Sequence, residues 1–460
     1  MSADLAFAPA AEIAARVRSR ELTARQVVEA FLERIERLQK RLNAFTQILS
    51  DLALEQARGI DEAVRAGRAP GPLAGVPVAV KDIIDVAGTA TTAGSHVSFH
   101  RQAVRDAPVA ARLRASGAVL IGKTNLHEFA YGVTNINPHY GPVRNPWDLR
   151  RIPGGSSGGS AAAVSAGLCA GAIGTDTGGS IRIPASLCGV VGIKPTYSLV
   201  PTGGIVPLSW SLDHAGPFAR SVRDLALLLG VMAGRDYLSA LEGGRADLVG
   251  VRVGVPRTFF WERVDPEVLQ LTERAVDGMR QLGAHVVEVE LPYAAHAGSA
   301  AAVVMSVEAT AFHERHLRTH VGDYGADLQV RLLRGFFLQG TDYLTAMRAR
   351  SFLRQVFTSA FERCDVLAAP ATQVAAAAID EDPDSSAGTS LAMSVQLTRF
   401  TNPFNVTGLP ALSLPCGFTA RGLPVGLQLV GRPYDEGHVL RVGAAYEAAA
   451  GWAGRRPALD

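Results

Sequence analysis

The sequence predicts one large α/β domain. Three observations predict it. Short apolar strands, amphipathic helices and glycine-rich turns alternate along the chain. No linker-like stretch divides its 460 residues. A hydrophobic content of 48% is enough to fill a large layered core.

The elements follow in chain order. Thr23 to Gln26 is a T-x-x-Q capping box, which marks a helix start. Val27, Val28, Phe31, Leu32, Ile35 and Leu38 then recur at helical spacing, with Glu33, Arg34, Glu36 and Arg37 mostly opposite. A second helix covers roughly Leu52 to Arg65. The Gly-Pro-rich stretch Gly67 to Pro77 ends it and feeds a buried strand, Val78 to Val80, with Lys81 at its exit. Residues 108–116 read as helix and Ala118 to Ile121 as a second buried strand. From 153 to 204 the composition shifts to Gly, Ser and Ala. There 160–168 reads as a small-residue helix, Ala170 to Ile173 as a strand, and Gly174 to Gly179 as a loop. Val251 to Val255 is a strand and 266–282 an amphipathic helix. Residues 302–320 and 341–363 read as long helices, and 376–390 as an exposed loop. Ala411 to Leu414 and Val425 to Val430 return to strand. No internal repeat is visible.

Composition excludes several classes. A formal net charge of +2 gives no electrostatic footprint for nucleic acid. No apolar run reaches the ~18–20 residues of a membrane helix. The first 25 residues carry Asp4, Glu12 and Glu21 and lack the basic-then-apolar order of a secretory signal, so a cytoplasmic location is expected. Cys169, Cys188, Cys364 and Cys416 form no CxxC, so neither a zinc site nor a disulfide framework is expected.

Lysine usage is more pointed. Of 45 basic residues only Lys40, Lys81, Lys123 and Lys194 are lysine. Arginine cannot give up its proton, whereas a buried lysine can, so a lysine kept in an arginine-rich chain is a candidate base.

Three motifs fail on physical grounds. Gly117 to Thr124 matches GxxxxGK[ST], but the positions between its glycines are the strand 118–121, not a loop free to cradle phosphate. Gly155-Ser156-Ser157-Gly158-Gly159 fits G-x-S-x-G around Ser157, but Arg151 to Gly154 is not the strand a hydrolase elbow needs. His313, His316 and His320 have helical spacing but no HExxH or carboxylate pair, so no metal is expected.

The strongest constellation has three parts. Gly75 to Asp82 places Lys81 at the end of a buried strand. Gly154 to Ser160 places Ser156 and Ser157 in pliant backbone. Gly174 to Arg182 places Ser180 after two glycines in a strand-to-helix turn. Glycine lets N–H groups turn inward, and such groups suit an oxyanion hole beside a serine nucleophile.

These stretches closely resemble the amidase signature family. So do Gly122 to Asn125, Glu128-Phe129, Gly141 to Trp147, Gly192 to Thr196, Asp365 to Thr372, Asn405 to Pro415 and Gly422 to Gly431. The resemblance spans nearly all of 1–460, most tightly 73–220. It implies a central mixed β-sheet covered by helices on both faces. It also implies a Ser–Ser–Lys triad: Ser180 as nucleophile, Ser156 as a bridging serine on a cis peptide, and Lys81 as base. Thr177, Gly178, Gly179 and Ser180 match the oxyanion-hole backbone. Asp176, Arg182 and Ser157 match supporting positions, as does Ser160. Phe129 and Tyr131 match a stretch that lines the substrate pocket. No cofactor is implied, and a homodimer is the expected assembly.

The base has a physical requirement. Lowering a lysine from ~10.4 to ~7 costs about 4.6 kcal/mol, which burial can impose. Neutral Lys81 would draw a proton through Ser156 as Ser180 attacks a small-molecule amide.

The family also contains the A chain of glutamyl-tRNA amidotransferase, which hydrolyses glutamine for partner subunits. That chain presents an aspartate for the glutamine amino group. The stretch Leu397 to Phe404 has none. Its carboxylate-binding arginine falls near Arg350, among Arg348 and Arg354. A stand-alone amidase is therefore the first expectation and the amidotransferase component the alternative. A cysteine amidase of the nitrilase type would need Cys188, but Leu187 and Val190-Val191 give it apolar neighbours. The sequence leaves open whether 300–345 covers the site.

Overall fold

Two parallel strands that leave a sheet at the same edge place the candidate residues. The computed structural model describes residues 5–97, 101–242, 247–379, 386–452 and 454–459. The strands are β1 (Phe45–Ile48), β2 (Pro77–Lys81), β3 (Ala90–Thr91), β4 (Arg101–Gln102), β5 (Val119–Thr124), β6 (Gly171–Asp176) and β7 (Val191–Lys194). They continue with β8 (His214–Ala219), β9 (Arg252–Val255), β10 (His285–Glu288), β11 (Val366–Pro370), β12 (Ala411–Phe418) and β13 (Pro424–Val430). Among the described residues, eleven of them form one sheet in the order β1-β5-β2-β6-β8-β7-β12-β13-β11-β9-β10, and β3 pairs with β4. The sheet is mixed. β2 runs parallel to β5 and β6, and β9 parallel to β10 and β11, while the other pairs are antiparallel. Helices flank it in a single large α/β domain.

β2, β5 and β6 are buried along their whole length. Parallel strands covered on both faces need such continuous burial, which is why they read as unbroken apolar runs. Val80 lies opposite Ile173, so Lys81 and the last residues of β6 emerge together at the carboxyl edge. That edge is where open α/β sheets hold their ligands.

The capping box forms as read. The Thr23 hydroxyl accepts the Gln26 N–H and the Gln26 side chain accepts the Thr23 N–H, opening the helix Ala24–Leu42. The long helices are Ala297–His320 and Gly340–Ser359. Among the described residues, none is long and apolar enough to cross a membrane.

Around the candidate site and in the expected loop 376–390, the structure differs from the sequence reading in four places. The small-residue helix is Gly158–Ser165, because its opening glycines carry the first helical turn. β6 continues through Gly174, Thr175 and Asp176, which pair with β8, so the loop begins at Thr177. β5 continues through Lys123 and Thr124, where an edge pairing with β1 extends it. Of the expected loop 376–390, Ala378 bridges Arg151, Ala376 is buried, and Ser386–Thr398 is a helix. Residues 380–385 of that loop lie outside the described residues.

Candidate active site

Lys81 closes β2 and is fully buried. Its Nζ lies 2.7 Å from Ser156 Oγ and 2.8 Å from Thr175 Oγ1. Burial lowers its pKa from 10.5 to about 7, against the opposing pull of the Asp213 and Asp176 carboxylates. Ser156 follows a cis Gly155-Ser156 peptide. Its carbonyl accepts the His127 N–H at 3.2 Å.

The neighbouring serines fasten this segment to the sheet. Ser157 Oγ donates to Thr175 O at 3.1 Å and accepts the Thr175 N–H at 3.3 Å. Ser160 Oγ donates to Ile173 O at 3.1 Å and lies 2.7 Å from Thr124 Oγ1. The small side chains let the Gly158–Ser165 helix sit directly against β6. A Cβ at Gly159 would come within 2.3 Å of Asn125 O, so a larger residue would force the helix away from the segment that follows β5.

Thr177 to Ile181 turns away from β6 around the Asp176 carboxylate. Asp176 Oδ1 accepts the Gly179 N–H at 2.8 Å, and Oδ2 accepts the Ile181 N–H at 3.1 Å. Arg182 grips the same carboxylate through Nη2 at 3.0 Å and Nε at 3.1 Å. Asn405 adds a bond to Oδ1 at 2.8 Å. Burial opposes the charge on Asp176, but Arg182, Lys194 and Asn405 outweigh it and hold the carboxyl well below the usual range. Gly179 sits at φ +134°, where a Cβ would meet Thr401 Oγ1 at 2.3 Å.

The N–H groups of the turn differ in their partners. The Gly179 N–H donates to Asp176 Oδ1. Among the described residues, the N–H groups of Thr177, Gly178 and Ser180 donate to no protein acceptor. Ser180 is 5% exposed, and its Oγ has no hydrogen-bond partner among the described residues.

One flank of the turn is held by Asp213. Thr177 Oγ1 donates to Asp213 Oδ1 at 2.6 Å. The same carboxylate accepts the Leu208 N–H at 3.0 Å and the Ser209 N–H at 3.1 Å. Burial pushes Asp213 up to about 6, against these three bonds, which favour its charge.

The other candidates have partners of their own. The Phe129 ring packs edge-on to His313 at 4.5 Å and lies 5.8 Å from Tyr324. Tyr131 Oη lies 3.2 Å from Ser306 Oγ and accepts from Arg334 Nη2 at 3.2 Å. Both rings are buried. Gly178 faces Asn402 and Met305: a Cβ there would lie 2.7 Å from Asn402 Oδ1 and 3.6 Å from Met305 Cε. The Ala297–His320 helix therefore flanks the turn, within the 300–345 stretch left open above. Arg350 donates to Val406 O at 3.0 Å and lies over the Tyr197 ring at 5.4 Å.

Two of the failed motifs have other partners. Lys123 pairs with Asp82 at 3.0 Å inside the sheet layer. His313 lies 3.0 Å from Tyr324 Oη, and His316 stacks on His320 and lies 3.2 Å from Asp323. Among the described residues, no group of three or more His, Cys, Asp or Glu has metal-holding geometry. Cys188 is buried, and burial pushes its thiol up. Two cavities of about 660 and 200 Å³ open elsewhere, the first beside Val17 and Leu54, the second beside Phe7 and Trp147. Neither borders Lys81 or Ser180.

Sequence reasoning missed Thr175, Asp213 and Asn405. Thr175 carried a signal, a hydroxyl near the end of a buried strand. Asn405 opens a stretch already noted as family-like but given no role, and Asp213 reaches the site only through strand pairing, for which the sequence offers no local mark.

The family model described as Amidase matches residues 26–440. An amidase of Pseudomonas putida is 44% identical over 98% of this chain and 97% of its own length. The A chain of the glutamyl-tRNA(Gln) amidotransferase of Gloeobacter violaceus is 39% identical over 97% of this chain and 98% of its own. The solved structure of native peptide amidase from Stenotrophomonas maltophilia superposes with a TM-score of 0.85 at 34% identity, covering 98% of each chain.

Proposed function

The chain belongs to the amidase family, and from that premise we propose that it is a self-sufficient serine amidase acting on a small carboxylic amide. The observation that carries the reading is the fully buried Lys81 amine, 2.7 Å from Ser156 Oγ with a pKa lowered to about 7. A neutral amine has two hydrogens and one lone pair. It donates one hydrogen to Thr175 Oγ1 and accepts the Ser156 hydroxyl proton on its lone pair.

Ser156 in turn takes the proton of Ser180 as Ser180 Oγ bonds to the amide carbon. The carbonyl π pair moves to oxygen, and the free N–H groups of Thr177, Gly178 and Ser180 receive that charge. The C–N bond then breaks. The leaving nitrogen takes the Ser156 proton, and Ser156 recovers one from Lys81. Water attacks the Ser180 acyl ester by the same proton route, releasing acid and free enzyme. Asp176 and Arg182 hold the turn and do not react. Phe129 and Tyr131 are proposed to face the apolar part of the substrate. No cofactor enters these steps.

A second reading is supported by the relatives named as amidotransferase A chains, one of them 39% identical over 97% of this chain. Under it the protein hydrolyses glutamine for partner subunits. Leu397 to Phe404 offers no carboxylate for the glutamine amino group, which places this reading second.

A panel of amides on purified protein separates the two: glutamine, short aliphatic amides, aryl amides, anilides and carbamoyl ureas. Acid and amine release are followed in parallel. The expected result is turnover of a non-glutamine amide that Ser180→Ala and Lys81→Ala each abolish while remaining folded. Near-wild-type turnover in either variant would sink the triad. Glutaminase activity alone, dependent on added partner chains, would put the second reading first.

A further inference from the structure

The mechanism leaves Asp213 without a role, yet its position is specific. Its carboxylate takes the hydroxyl of Thr177, the first residue of the turn that offers N–H groups to the substrate oxygen. It is itself braced. Two backbone N–H groups, of Leu208 and Ser209, anchor its oxygens. The segment carrying them is clamped by Glu308 on the Ala297–His320 helix. Glu308 Oε2 accepts from Ser209 Oγ at 2.6 Å and from the Ser211 N–H at 3.1 Å. Glu308 Oε1 accepts from the Ser211 hydroxyl and, at 2.8 Å, from Tyr343 Oη. A chain of bonds thus runs from the Gly340–Ser359 helix through Glu308 and Asp213 to Thr177.

We propose that Asp213 is a positioning residue of the amide hydrolysis. Its carboxylate fixes Thr177, and through it the amides facing the oxyanion, while its charge acts on the neighbouring Lys81. The inference rests on the serine amidase reading above. The carboxylates acting on Lys81 are Asp213 and Asp176, and Glu308 acts on Asp213. Asp176 is committed to Arg182, whereas among the described residues Asp213 has no cationic hydrogen-bond partner. Removing the Asp213 charge therefore makes protonated Lys81 less favourable, and the amine becomes neutral at lower pH.

Two substitutions separate the two effects. Thr177→Val removes the hydroxyl and leaves the Asp213 carboxyl in place, with two of its three bonds. Asp213→Asn keeps the shape and removes the charge. Turnover is measured on the best amide of the panel and normalised to sites titrated by a serine-directed acylating reagent, so that unfolded protein does not count.

Thr177→Val is expected to lower kcat about 10–100-fold with KM changed less than about threefold, and to move the acid limb of the pH profile less than Asp213→Asn does. Thr177→Ser is expected to restore most of the loss. Asp213→Asn is expected to lower kcat as well and to move the acid limb down by about one pH unit. A purely structural role would lower the number of titratable sites without changing the kcat of those that remain. Wild-type kcat per site in Thr177→Val, or an unmoved acid limb in Asp213→Asn, would overturn the inference alone if Ser180→Ala is dead. Turnover that survives Ser180→Ala would overturn the parent reading and this inference with it.

Discussion

Of the four lysines, three are fully buried: Lys81, Lys123 and Lys194. Only Lys40 lies exposed, on a helix surface. An arginine-rich chain keeps lysine where a guanidinium would not fit or where a removable proton is useful. Lys123 meets the first condition, paired with Asp82 at 3.0 Å. Lys81 meets both. Its neutral form is the active one, so kcat/KM should fall as pH drops below about 7. Lys81→Arg should be inactive at every pH up to about 10, because a guanidinium keeps its proton throughout that range. A pH profile of both proteins checks this, and recovery of the arginine variant at high pH would refute a base role. Lys81, Ser156 and Ser180 were legible because rare lysine, paired serines and glycine-rich backbone each leave a local mark. Asp213 was not, because it meets Thr177 only after β8 pairs with β6.

Among elements, β8 shows why half of the sheet was hidden. His-Ala-Gly-Pro-Phe-Ala contains no β-branched residue, and Pro217 stands opposite Ile173 in the sheet interior. Local propensity argues against a strand there, and proline is normally confined to edges. Pairing on both sides overrides it. β1, β7, β10 and β11 also escaped, each being only four or five residues long. The turn after β6 is the reverse case, since its glycines announce it. Gly179 is required there twice over, by φ +134° and by Thr401 Oγ1, 2.3 Å from where a Cβ would stand. Gly179→Ala should therefore cost about 1–3 kcal/mol of stability and lower kcat at least about 100-fold by displacing Ser180. Gly178→Ala should be milder, because its added methyl meets the movable Asn402 amide instead of a strained backbone. Urea unfolding and turnover of the two variants test the ordering. Equal losses would show that the turn tolerates no methyl anywhere, and that Gly179 is not special.

At the scale of the whole molecule, a sheet wide enough to bury three strands end to end is what makes a neutral lysine available. The fold bears that cost in stability. Unfolded, Lys81 titrates near 10.5, and folded it titrates near 7. Between those values the unfolded chain binds more protons, so this group's contribution to stability rises with pH. Below about pH 7 its full penalty is present, with a ceiling of about 5 kcal/mol. Above 10.5 it vanishes. Lys81→Met removes the penalty but leaves the Ser156 and Thr175 hydroxyls without their partner, which returns about 1–3 kcal/mol. The inactive variant should therefore be more stable than the wild type by about 2–4 kcal/mol near pH 6. That advantage should shrink as pH rises through about 8 towards 10. Lys194, which burial also lowers, titrates in both proteins and cancels from the difference. Urea unfolding of the pair at about pH 6, 8 and 10 measures it. A difference that does not change with pH would mean that Lys81 is charged in the folded protein throughout, and a charged amine cannot accept the proton of Ser156.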